Sequence, residues 1–290
     1  MKYLIVNPTA GHGRAAKLLA QIENQLADME LVQTEYSGHA TLLAQRAAQS
    51  GKYEAVLAMG GDGTVAEAAM GLLDSGTPLG ILPAGTGNDA ARGYGIPDRL
   101  EEALRLVQSG VARPVDSIRI GNESFLNIIS VGFDAQVVKN VKRYKRLGSM
   151  SYAVSVYQTV MQYRSMPMKL TLDEETLQGE YYLAAVGCGS HYGGNMKVLP
   201  HADPTDGWLD ICLIDPVARL TTMRLLPKFI KGEHGQLDFV HFKRARHVII
   251  EAAENAPAFE YNADGDMFED CRRLDIELQQ NRLKVIMPPR

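Results

Sequence analysis

The sequence predicts an α/β N-terminal domain on a parallel sheet, followed by a second, mainly antiparallel and β-sandwich-like domain. Three observations predict it. Short apolar runs alternate with helical patterns over the first hundred residues. Strand-like runs dominate after Val115-Asp116. With 290 residues and 46% apolar content, the chain has material for one large core or two modest ones.

In the first part, Tyr3-Val6, Leu31-Tyr36, Ala55-Met59 and Leu79-Leu82 read as strands. Arg14-Met29, Thr41-Ser50, Val65-Leu73 and Leu100-Val107 read as helices. This βαβ alternation places ligands beyond the carboxyl ends of the strands, where three glycine clusters fall. The second part offers strands at Phe125-Val131, Met168-Leu172, Tyr181-Val186, Leu209-Ile214, His247-Glu251, Leu274-Leu278 and Leu283-Met287. Two helical patterns interrupt them, Ala135-Tyr163 with a break at Gly148, and Ala218-Lys231. We place the boundary at residue 116, giving a nucleotide-binding domain 1–116 and a lipid-substrate domain 117–290 whose last strand is free to return to the first. A cleft between them suits a reaction joining two substrates.

Composition narrows the function. A net charge of −4 argues against a general nucleic-acid binder. Cys188, Cys212 and Cys271 are the only cysteines, with no C-x-x-C spacing, so neither a disulfide framework nor a thiolate zinc site is expected. The apolar run after Lys2 is too short for a signal peptide, and no stretch approaches the ~20 residues that cross a bilayer. A cytoplasmic chain that visits the membrane surface is expected if its substrate is a lipid.

Gly60-Gly61-Asp62-Gly63-Thr64 lies between a strand and a helix. Its glycines admit an anion close to the backbone, and the following helix N-terminus offers free N–H groups. Asp62 would repel a bare phosphate, which makes sense if Mg²⁺ lies between them. The same residues also read as a turn with Asp62 or Thr64 as N-cap. Pro83-Ala84-Gly85-Thr86-Gly87-Asn88-Asp89 repeats the arrangement after the next strand. There Thr86 and Asn88 are candidate donors to phosphate, and Arg92 a countercharge. Asn7-Pro8-Thr9-Ala10-Gly11 forms the first loop; Gly11-x-Gly13-x-x-Ala16, with Glu35 downstream, loosely matches a dinucleotide fingerprint. No G-x-x-x-x-G-K-[ST] occurs, so the phosphoryl chemistry is not that of a P-loop enzyme.

Asn7-Pro8 with Gly11, the Gly60-Thr64 pentapeptide and Gly85-Thr86-Gly87-Asn88-Asp89-Ala90 occur in this order. On these motifs the chain resembles, over nearly its whole length, the bacterial diacylglycerol-kinase-like lipid kinases, relatives of sphingosine and ceramide kinases. The pentapeptide is shared with NAD kinases, whose fold the first domain is then expected to have. The resemblance implies ATP bound by Asn7, Pro8, Thr9, Ala10 and Gly11, by Thr41, by Gly60, Gly61, Asp62, Gly63, Thr64, Val65 and Ala66, and by Thr86. It also implies a Mg²⁺ site at Asp206-Gly207, with Asp203 and Trp208 contributing and Asp210 nearby. On spacing alone that dipeptide reads as a plain turn.

The family's catalytic base lies in a D-G-E motif, which falls on Asp264-Gly265-Asp266 here. The sequence departs from the pattern by one methylene at Asp266, and Glu269 and Asp270 stand close enough to substitute. A solvated acidic turn is the alternative for all four acids. The helix from Ala135 carries Lys139, Lys142, Arg143, Lys145 and Arg146 ahead of Tyr152, Tyr157 and Met161, which suits either docking on anionic headgroups or a solvated face beside core residues. The histidines show no metal-binding spacing. An NAD kinase and a non-catalytic nucleotide-binding protein are the rival readings, and a homodimer through an exposed strand edge is compatible with either domain.

Overall fold

The computed structural model describes residues 1–22, 24, 26–144 and 151–289. The first part runs β1 (Lys2–Val6), α1 (Ala10–Ile22), β2 (Met29–Gln33), α2 (His39–Ser50), β3 (Ala55–Gly60), α3 (Asp62–Leu72), β4 (Leu79–Pro83), α4 (Asp89–Gly93) and α5 (Leu100–Ser109). β2, β1, β3 and β4 pair in that order, all parallel. β3 is buried at every position, as expected for a central parallel strand covered on both faces. α5 buries Leu100, Ala103, Leu104, Leu106 and Val107 at helical spacing and carries Glu101 and Glu102 in its first turn, where the helix dipole favours acids. The sequence pattern carried the first helix to Met29; the helix stops at Ile22, and Met29 opens β2 because it pairs with Lys2 of β1.

The rest of the chain supplies β5 (Val111–Ile120), β6 (Glu123–Phe125), β7 (Ile128–Gly132), α6 (Phe133–Arg143), α7 (Ser151–Gln162), β8 (Met166–Leu172), β9 (Glu175–Tyr181), β10 (Leu183–Gly187) and β11 (Leu209–Ile214). It closes with α8 (Arg219–Lys231), β12 (Val240–Ala245), β13 (His247–Ala252), β14 (Phe259–Ala263), β15 (Asp266–Cys271) and β16 (Arg273–Met287). A six-stranded antiparallel sheet has the order β12-β11-β10-β7-β14-β15. The two last apolar runs of the sequence form one strand, β16, whose far end pairs in parallel with β4 while its length pairs antiparallel with β5 and β13. The parallel sheet thereby continues into a ten-stranded mixed sheet.

The two largest cores among the described residues follow from this layering, with smaller clusters around Leu183, Ile214 and Phe229 and around Val137, Val156 and Val160. One lies around β1, β3 and β4 and takes in Leu4, Ile5, Leu57, Ile81 and Leu104. The other lies between the antiparallel strands of the mixed sheet and the six-stranded sheet, where Ile118, Leu170, Val186, Ile211 and Ile250 meet. The predicted break at Gly148, with Lys145 and Arg146, lies outside the described residues.

Candidate active site

β1, β3 and β4 end side by side, so the three glycine loops meet at one edge. Asn7 ties the first loop to the second: its Nδ2 donates to Thr64 Oγ1 at 3.0 Å, while its Oδ1 accepts from the Thr9 N–H at 3.1 Å and hydroxyl at 2.9 Å. Arg14 Nη1 reaches the Gly85 carbonyl at 3.5 Å. The loops approach backbone to backbone. A Cβ on Gly85 would stand 2.5 Å from Gly61 Cα, and Gly11, at φ 59°, would put one 2.4 Å from the Ala84 carbonyl oxygen.

These loops enclose a cavity of ≈ 430 Å³ lined by Asn7, Thr9, Ala10, Gly11, Gly61, Asp62, Gly63, Thr64 and Thr86 among others. A Cβ on Gly63 would meet nothing within 4 Å, so this glycine faces open space. The N-cap of α3 is Gly61, and no side chain caps it: neither Asp62 nor Thr64 does. The first turn therefore keeps its N–H groups for a ligand, as an anion site at a helix N-terminus requires. Thr41 does not line the cavity; its hydroxyl donates to the Glu67 carbonyl at 2.9 Å and fixes α2 against α3. Gly60, Pro8, Val65, Ala66, Asn88 and Arg92 also lie outside the lining. Arg92 bonds the Gly87 carbonyl and pairs with Asp98 at 3.3 Å, bracing its own loop.

Aspartates lock the arrangement. Asp62 accepts the N–H of Asn88 at 2.8 Å and of Ala90 at 3.1 Å, joining the second loop to the third. Asp89 accepts the N–H groups of Gly194 at 2.9 Å and Asn195 at 3.1 Å, joining the third loop to the segment after β10. Burial pushes the Asp89 carboxyl up, against the pull of the Gly194 N–H. Asp264 accepts from Leu126, Asn127 and Ile128 at 2.7, 3.0 and 3.1 Å. Burial pushes its carboxyl up to about 6 in spite of these donors.

A second cavity of ≈ 210 Å³ opens between the halves, lined by Asp62, Ala66, Asp89, Asn127, Tyr192, Asn262, Asp264 and Gly265. Asp62 borders both cavities. Asp264 and Gly265 form the turn of the β14–β15 hairpin, both at positive φ (49° and 99°). Asp266, the first residue after the turn, is exposed and is not among the residues lining the cleft. Of the other acids, Glu269 pairs with Lys139 at 3.5 Å and Asp270 is exposed. Asn127, Tyr192 and Asn262 escaped the sequence reading, and Asp89 entered it only as a member of the third loop, without a role. Gly193-Gly194, beside the Asp89 clamp, was the available signal for a tight segment near the site.

The loop before β11 carries Asp203 and Asp206, and β11 itself carries Asp210. Asp203 Oδ1 accepts from the Thr205 N–H at 3.0 Å, and Asp206 Oδ1 from the Trp208 N–H at 3.1 Å. Arg244 pairs with Asp206 at 3.3 Å and Asp210 at 3.0 Å, while the Asp210 Oδ2 is buried without a partner. Among the described residues, only His247, Asp275 and Glu277 bring metal-capable atoms within 4.8 Å of one another, and Arg273 and Arg119 already pair with those acids.

Residues 2–120 match the model of the diacylglycerol kinase catalytic domain, and residues 127–287 that of the YegS C-terminal NAD kinase beta sandwich-like domain. A diacylglycerol kinase of Mycobacterium tuberculosis is 34% identical over 275 residues, covering 90% of this chain and 87% of the relative. One from Bacillus subtilis is 30% identical and covers 91% and 88%. The crystal structure of a diacylglycerol kinase from Bacillus anthracis superposes with a TM-score of 0.76 at 27% identity, covering 99% of this chain and 97% of that one. The chain belongs to the diacylglycerol kinase family of lipid kinases.

Proposed function

We propose that this protein transfers the γ-phosphoryl group of ATP to a hydroxyl of diacylglycerol or a lipid shaped like it. The observation that carries the reading is the position of Asp62, on the border between the polar cavity of the glycine loops and the cleft between the halves. ATP belongs in the first, and the lipid hydroxyl enters through the second. In this division residues 1–116 bind the nucleotide and 117–290 the lipid.

The residues present fit a triphosphate with magnesium. Gly63 leaves room that any side chain would fill, α3 presents uncapped N–H groups, and Asp62 supplies a carboxylate beside them. Asn7, Gly11, Thr64 and Thr86 hold and orient the phosphates by hydrogen bonds, with Thr9 fixing the Asn7 amide. Magnesium, when bound, offsets the charge that develops during transfer. Asp266, which follows the cleft-lining Gly265 without lining the cleft itself, accepts the hydroxyl proton once the hairpin turn brings it to the lipid: its carboxylate makes no hydrogen bond among the described residues, whereas both oxygens of Asp264 are engaged in holding the turn. The orphaned Asp210 oxygen is the observation that suits a hard cation at the loop of Asp203, Asp206 and Trp208, whose carboxylates would have to draw together to hold it, since they do not converge within 4.8 Å.

No helix among the described residues is long and apolar enough to cross a membrane. The reading has the enzyme meet its lipid from the cytoplasm at the membrane surface. Tyr157 and Met161, 60% and 44% exposed on α7, with Arg143 nearby on α6, suit that contact; the side chains of Lys142 and Tyr152 lie outside the description. A homodimer through a free sheet edge belongs to the same reading.

The test is transfer of label from γ-labelled ATP with Mg²⁺ into the organic phase of mixed micelles containing diacylglycerol, with NAD⁺ as a parallel acceptor. Label in the lipid that is lost in a folded Asp62→Asn variant is the expected result. Label only in NAD⁺, or unchanged turnover in the variant, would overturn the assignment.

A further inference from the structure

Beside the catalytic cleft lies a second, narrower space of ≈ 50 Å³, walled by Phe133, Val137, Val156, Leu183, Ile214 and Phe229. It shares Val138, Tyr192 and Gly193 with the cleft and so opens off it. The slot is almost wholly apolar. Its one ionisable acid is Asp134, in the first turn of α6 and only 3% exposed.

The Asp134 Oδ2 accepts a hydrogen bond from the Ser130 hydroxyl, and the Tyr192 hydroxyl also stabilises the carboxylate, but no donor among the described residues makes a hydrogen bond to the buried Oδ1. Of the side-chain hydroxyls along the wall, that of Thr222 donates to Tyr182 at 3.3 Å, and that of Tyr192 acts on the Asp134 carboxyl. A buried, unanswered carboxyl oxygen costs about 1–3 kcal/mol, a cost a fold avoids where an apolar residue would serve. Phenylalanine and valine already serve along the rest of this wall. The oxygen is placed for something that enters the slot.

We propose that Asp134 selects the acceptor lipid: its unanswered carboxyl oxygen hydrogen-bonds an ester carbonyl of a glycerolipid whose hydrocarbon chain runs into the slot from the cleft. This rests on the lipid-kinase reading of the cleft, and adds which linkage the enzyme reads and with which residue. To donate to a carbonyl, Asp134 must carry its proton. Burial pushes its carboxyl up to about 6, and a chain that expels the remaining water from the slot moves it further in the same direction. Lipid binding therefore takes up a proton. The titratable groups that act on Asp134 or feel its charge are the hydroxyls of Tyr192 and Tyr163; Tyr182, whose hydroxyl burial pushes up to about 12, also lines the slot, and no other carboxyl, imidazole or basic side chain does.

The test compares binding of dioctanoylglycerol with that of its dioctyl ether, which has the same shape and hydroxyl but no carbonyls. Binding is followed by calorimetry on the full chain without nucleotide, between pH 6 and pH 8. The wild type is expected to bind the ester about tenfold more tightly than the ether at the acid end, with the advantage shrinking as pH rises. Asp134→Asn, whose amide donates at every pH, is expected to keep the preference and flatten its pH dependence. Asp134→Leu is expected to bind both lipids equally. Equal binding of the two lipids by the wild type would overturn the proposal. So would an ester preference that survives in a folded Asp134→Leu variant, or affinity that rises with pH, the signature of an ionised carboxylate accepting from a hydroxyl or amine. If the leucine variant does not fold, the ester-to-ether ratio of the wild type and its pH dependence in Asp134→Asn still decide. An intact ester preference in a wild type that phosphorylates neither lipid would refute the kinase reading and leave this one standing.

Discussion

Around the glycine loops the carboxylates meet backbone N–H groups: Asp62 holds Asn88 and Ala90, and Asp89 holds Gly194 and Asn195. In the second half, Asp134 and Asp210 each keep one buried oxygen unanswered. The residue type is the same, and what differs is the supply of donors within reach of each oxygen. Strand-to-helix loops are rich in free N–H groups, which carboxylates can collect to fix one loop against the next. Asp210 lies in β11, whose N–H groups are spent on the sheet, and Asp134, although it stands in the first turn of α6, lines an apolar slot; each open oxygen must find a side chain, a cation or a ligand. Matched acids build the site, and unmatched ones face what comes into it. Asp264 tests this division, because it sits in the second half but collects three N–H groups from the entry to β7.

Replacing Asp264 is expected to produce the largest loss. Asp264→Ala orphans the N–H groups of Leu126, Asn127 and Ile128, all nearly buried, at a cost of about 4 kcal/mol. Urea unfolding would show it, and a loss under about 1 kcal/mol would mean that water replaces the carboxylate. Asp134 is expected to act on stability in the opposite sense. Its folded carboxyl is raised from 3.8 to about 6, so its contribution is fully present below 3.8 and is lost as pH rises through 6. Between pH 4 and pH 7 the wild type should therefore lose up to about 3 kcal/mol relative to Asp134→Asn. Parallel pH profiles of the two proteins would mean that burial does not raise the folded Asp134 carboxyl.

The smallest effect concerns two glycines of the nucleotide cavity. Gly63→Ala projects a methyl into open space and should raise the KM for ATP about tenfold while leaving Tm unchanged. Gly11→Ala meets the Ala84 carbonyl at positive φ and should lower Tm as well. Equal changes in Tm would show that Gly63 serves the fold and not the ligand.

The glycine loops were legible because their chemistry is local: a strand, a run of glycines and a helix start are contiguous in sequence. Thr41 and Arg92 show the limit of that reading. Both have residue types suited to phosphate, yet Thr41 spends its hydroxyl on the Glu67 carbonyl and Arg92 braces the Gly87 carbonyl and Asp98. A side chain's partner depends on neighbours tens of residues away. The cleft was less legible still, since Asp62, Asn127, Tyr192 and Asn262 come from four separate elements.

The sequence by itself determined the alternation of strands and helices, the three anion-ready loops and the β-rich second half, because periodicity and glycine placement act over a few residues. It also placed the chain among the lipid kinases through those same contiguous motifs. Tertiary structure decided that β16 returns to pair with β4, that Asp62 stands between two cavities, and that Asp134 faces an apolar slot with one oxygen free. Whether a buried polar atom is satisfied depends on which distant donors the fold brings within about 3 Å, and no local pattern carries that distance.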